Sequence, residues 1–152
     1  MHDRTPLKGI LNCLHRIHRS IREVDATAWD RLAGGNAFAL HGWFLTTEVT
    51  CRSKVEPLYF TLYRDEDLIA GAVCYLVSPG DSIETLDDMI FGRCKGFAPS
   101  LLPALVCGPI LGYGWHIGVA PRQNSGEAMR VLLDAMERKP GRGGSPELYA
   151  RS

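Results

Sequence analysis

The stretch from Pro57 to Val77 limits the fold more than any other. Pro57–Arg64 reads as a strand rich in aromatic and β-branched residues, with Tyr59, Phe60, Thr61 and Tyr63. Arg64-Asp65-Glu66-Asp67 is a polar turn, and Leu68–Val77 follows as a second strand. Two strands joined so closely predict an antiparallel hairpin.

A second unit lies downstream, from Tyr113 to Glu137. A short apolar strand passes through a polar, glycine-containing turn into a helix over Ser125–Glu137, whose apolar face is Met129, Val131, Leu132, Leu133 and Met136. Arg138-Lys139 complement the negative end of its dipole, and Pro140-Gly141 stop it. Such a unit offers backbone N–H groups at the helix N-terminus, which suits a phosphate, although many strand–turn–helix units bind nothing.

Upstream, residues 1–19 read either as a short amphipathic helix (Leu7, Ile10, Leu11, Leu14, Ile17) or as a leader. His18–Val24 has the pattern of a strand. Asp25 is a fitting N-cap for a helix over Ala26–Leu32, ended by Gly34-Gly35, and Phe38–Thr50 predicts a second helix. After the hairpin, Ile83–Phe91 has the pattern of one or two helical turns. Leu101–Cys107 is an apolar run that Pro103 demotes to an edge or irregular strand, and glycines make any strand in Ile110–Ala120 a bulged one. Pro140–Ser152 has the composition of a disordered linker. The resulting order points to an α/β or α+β layered fold without regular βαβ alternation. The body of the domain is residues 20–139.

With 152 residues the chain suits one domain. Formal net charge is zero, so no global field favours nucleic acid or an acidic membrane. The cluster Lys8, Arg16, Arg19 and Arg22 reads as a solvated face rather than a DNA contact. Five cysteines, at 13, 51, 74, 94 and 107, form no C-x-x-C pair, which argues against a zinc site or a secreted disulfide framework. No apolar run approaches the roughly 18–20 residues of a membrane span, and the expectation is a soluble, cytoplasmic protein without a metal.

Three short motifs carry a resemblance. They are Ala37-Phe38-Ala39-Leu40-His41-Gly42-Trp43-Phe44, the hairpin Leu58–Leu76 with its Leu68-Ile69-Ala70-Gly71-Ala72, and Leu105-Val106-Cys107-Gly108-Pro109. In these the chain resembles the N-terminal half of a GNAT-superfamily N-acyltransferase, most of all the Fem-like branch of peptidoglycan biosynthesis or recognition proteins. The first motif has Ala37 where that branch usually has proline. The resemblance implies a mixed, mostly antiparallel sheet flanked by helices and incomplete at the C-terminus. It also implies acyl or aminoacyl transfer from a thioester or ester donor, such as acetyl-CoA or another acyl-CoA, to an amine acceptor.

Gln123-Asn-Ser-Gly126-Glu-Ala128 fits the spacing of the superfamily's pyrophosphate turn. The implied cofactor-binding residues are thus Val119, Arg122, Gln123, Asn124, Ser125, Gly126 and Ala128. Glycine there lets a ligand approach the backbone, whereas the Glu127 carboxylate competes for the same dipole. His116 is the implied general base, since imidazole titrates near neutrality; the other reading is a structural histidine. Cys107, set among apolar neighbours, reads as a buried cysteine rather than a nucleophile. Glu84, Asp87 and Asp88 read as a solvated acidic face, with Arg93 and Lys95 as weaker anion contacts. Relatives of this kind are about twice as long, so a truncated copy is expected, completed by a homodimer or a missing C-terminal half. The alternative is a non-catalytic binding or regulatory module.

Overall fold

The computed structural model describes residues 13–51, 56–77, 104–108 and 117–138. Its centre is the expected hairpin, β2 (Glu56–Arg64) against β3 (Asp67–Val77). Asp65 and Glu66 both adopt positive φ, 49° and 76°, so the two-residue connection has the sense of a type I′ turn. Next to it the register slips between Leu62 and Tyr63, leaving Ile69 as the extra residue of a bulge. The bulge lets Ile69 and Ala70 both face the same core.

β1 (Cys13–His18) pairs antiparallel with β2 and overturns two expectations. Leu14 and Ile17 lie in this strand rather than on a helix, and the segment read as a strand from His18 is a 3-10 turn at Ile21–Glu23. Tertiary pairing explains both. Cys13 and Ile17 pack on one face of the sheet, while Ser20 and the Ile21 N–H turn away to the Glu48 carboxylate.

Helix α1 (Ala26–Leu32) forms where Asp25 predicts it, with the Asp25 carboxylate accepting from the Ala28 N–H at 2.7 Å. Gly34 and Gly35 follow at positive φ. The helix expected over Phe38–Thr50 is split into a 3-10 turn at Ala37–Ala39 and α2 (His41–Cys51). Leu40 is extended between them, and the Asp30 carboxylate takes the His41 N–H.

The far edge of β3 carries two short strands end to end. β4 (Ala104–Cys107) pairs with Cys74–Val77, and β5 (Ile117–Val119) with Ala70–Ala72. Gly108 N–H donates to the Val73 carbonyl and Ala120 N–H to that of Ile69, so one interrupted edge strand runs along β3. Helix α3 (Ser125–Glu137) follows β5.

The sheet is thus the middle of three layers, an α+β arrangement with five antiparallel strands. One face packs under α3 through Leu58, Phe60, Leu62, Ile69, Ala72 and Cys74 against Ala128, Leu132 and Met136. The other packs under α1 and α2, where Trp29 meets Phe44 and Tyr59 edge-on, each at 5.8 Å between centroids. Trp29 Nε1 donates to the Ala39 carbonyl at 3.0 Å, which satisfies the indole in the core. Tyr59 and Tyr75 bury hydroxyls that find no well-formed hydrogen bond among the described residues. Glu48 lies beside Tyr59, but its two oxygens are turned to Ser20 and Ile21.

Candidate functional site

The site implied by the sequence gathers where β5 passes into α3. Val119 ends β5, half-buried. Ala120 to Gln123 form the turn, closed by the Gln123 N–H donating to the Ala120 carbonyl at 3.2 Å. Arg122 sits at φ +70° with its side chain exposed. Asn124 is the N-cap, and its Oδ1 accepts from the Glu127 N–H at 3.2 Å. Ser125 and Gly126 lie exposed in the first turn, and Ala128 is buried beneath it. A Cβ built on Gly126 meets only Asn124 Oδ1, at 3.6 Å, so the space over this backbone is open.

Two residues outside the expected set complete the geometry. Arg64, at the end of β2, donates from its guanidinium to Gln123 Oε1 at 2.8 Å and ties the hairpin tip to the turn. Strand alternation places it on the same side as Leu58, Phe60 and Leu62, the side α3 covers. The alternation along Pro57–Arg64 is legible in the sequence, but which of its faces α3 covers is not. Glu127 is half-buried and, with Arg64, Gln123 and Asn124, lines a cleft floored by Cys13, Leu62, Ile69, Ala128 and Val131. Its enclosed volume is about 10 Å³, room for roughly one water.

An anion arriving here meets the first turn of α3 from its open outer side. The helix dipole and the two arginines favour it, and the Glu127 carboxylate opposes it. Asn124 already satisfies one of the orphan N–H groups, leaving Ser125 and Gly126 as the backbone the turn presents outward.

His116, Glu84, Asp87, Asp88, Arg93, Lys95 and Cys94 lie outside the described residues, as do the expected turns at Ile83–Phe91 and the tail from Pro140. His41 hydrogen-bonds the Ile21 carbonyl through Nε2 at 2.9 Å. Cys107 is half-buried on β4 opposite Cys74.

Among the described residues, no three His, Cys, Asp or Glu side chains come together as metal ligands. No described helix is long and apolar enough to cross a membrane. No protein-family model matches the chain, and neither does any curated protein or solved structure.

Proposed function

We propose that the chain is a GNAT-like N-acyltransferase domain whose β5–α3 turn takes the pyrophosphate of an acyl-CoA donor. The observation that supports this reading is the handover from β5 into the capped N-terminus of α3, with Arg64 brought to the turn by the hairpin. In this reading the Ser125 and Gly126 N–H groups and the arginines Arg64 and Arg122 hold the donor's phosphates. Val119 flanks the acyl end, and His116 serves as base for the attacking amine. An aminoacyl ester is the other donor class, and a homodimer or a separate C-terminal half supplies the rest of the cleft. Cys13, Cys51, Cys74 and Cys107 are not joined in disulfides, which fits a reducing compartment such as the cytosol.

A second reading is a non-catalytic binding or regulatory module. It is favoured by Glu127 and by the small enclosed volume beside it. Thermal-shift titration with acetyl-CoA separates the two, because a ligand selective for the folded state raises the melting temperature. A shift with thiol release in the presence of an amine supports the transferase. A shift without turnover supports the module, and no shift at millimolar ligand removes acetyl-CoA as the donor and favours the second reading.

A further inference from the structure

The cysteine pair under the C-terminal half of α3 belongs to no part of the candidate site. Cys74 of β3 and Cys107 of β4 stand directly opposite each other in the antiparallel ladder. The Gly108 N–H donates to the Val73 carbonyl at 3.2 Å, so Val73 and Gly108 make the hydrogen-bonded pair. The neighbouring Cys74–Cys107 position is therefore a non-hydrogen-bonded one. At such positions Cα atoms lie about 4.5 Å apart with both side chains on one face. That separation falls within the roughly 4.4–6.8 Å spanned by disulfides. Neither is held in a disulfide; Cys74 is fully buried and Cys107 half-buried. Met136 of α3 closes over them, its Sδ 3.9 Å from Cys74 Sγ.

We propose that Cys74 and Cys107 are a redox pair that closes to a cross-strand disulfide by exchange with a small-molecule disulfide, pinning β4 to β3. The two thiols have distinct parts. Cys107 is the accessible one, and the hydrogen bond from the Cys74 thiol lowers its pKa, which favours the thiolate. The same contact, together with burial, raises Cys74, so it stays protonated until the second step.

The Cys107 thiolate attacks one sulfur of R–S–S–R, forming the mixed disulfide Cys107–S–S–R and expelling one thiolate RS⁻. Cys74 then gives up its proton and attacks the Cys107 sulfur, expelling the second RS⁻. The two cysteine protons end on the two RS⁻, so the protein is oxidised by two electrons and the small disulfide is reduced to two thiols. The product joins β4 covalently to β3 at the Cys74–Cys107 position.

The test is oxidation of the folded full-length protein by oxidised glutathione, then blocking of remaining thiols and peptide mapping by mass spectrometry. The expected result is a Cys74–Cys107 linked peptide pair that dithiothreitol reverses. With C74S, glutathione stays on Cys107 as a mixed disulfide; with C107S, Cys74 remains a free thiol. Recovery of both cysteines unlinked from the oxidised wild-type protein overturns the proposal. So does linkage of either one to Cys13, Cys51 or Cys94. The wild-type map decides even if a serine variant fails to fold.

Discussion

At the scale of single residues, the hairpin tip and the floor beneath α1 behave in opposite ways. Asp65 and Glu66 hold left-handed backbone without being glycine, and an L-residue there costs about 1–2 kcal/mol in the limit. Glu66→Gly removes that strain from a solvated position and should stabilise the fold by about 0.5–1 kcal/mol in urea unfolding. A loss of stability would show that the Glu66 side chain holds something in place. Gly71 is the reverse case. A Cβ added there meets Trp29 at 2.9 Å and Leu32 at 3.1 Å. Trp29 is wedged between Phe44 and Tyr59 and tied to Ala39, so it cannot give way cheaply. Gly71→Ala should cost about 1–3 kcal/mol. A variant as stable as the parent would mean that α1 rides more loosely on β3 than these contacts allow.

At the scale of elements, β1 carries the protein's clearest pH dependence. Alternation sends its two histidines to opposite faces, His15 toward α3 and His18 toward Thr61, whose Oγ1 lies 3.0 Å from His18 Nε2. Burial lowers the pKa of both. Arg138 lowers His15 further, while Glu23, with an oxygen 3.4 Å from His18 Nδ1, pulls the other way without cancelling the effect of burial. A histidine with its folded pKa depressed binds fewer protons folded than unfolded. Its stabilisation is complete above the unfolded value of about 6.5 and is lost as pH falls below it. Urea midpoints should therefore drop from pH 7 toward pH 5, and His18→Gln should flatten the decline. A midpoint that rises on acidification would contradict it.

This strand was also the least legible in the sequence. Leu14 and Ile17, three residues apart, fit a helical spacing and stand on opposite faces of a strand, so only pairing with β2 makes this segment a strand. Asp25, Asn124 and the hairpin runs were legible because caps, turns and strand alternation are local. For the same reason the polar turn and helix start from Arg122 to Gly126 were legible as local structure, while a binding role for them is implied by the resemblance alone. Arg64 could not, because its part depends on where α3 lies.

At the scale of the whole molecule, the sheet is covered by two helical layers that share few side chains, so cooperativity has to pass through the strands. Leu132 is fully buried in the α3 layer, and Trp29 is fully buried in the opposite one. Leu132→Ala removes contacts from the first layer alone and should cost about 2–5 kcal/mol, a large share of the roughly 5–15 kcal/mol typical of a domain. Because β2 and β3 supply alternate residues to both cores, the second layer should lose its support at the same denaturant concentration. In a W115F background, tryptophan fluorescence reports Trp29 and Trp43 of the α1–α2 side, while far-UV circular dichroism reports all elements. L132A should move both midpoints down together, keeping a single transition. If fluorescence holds its midpoint while dichroism shifts, α3 unfolds separately from the α1–α2 layer. The candidate site, which rests on the N-terminus of α3 and on Arg64 of β2, would then form only when that helix is docked. Ligand titrations would in that case register docking as well as binding.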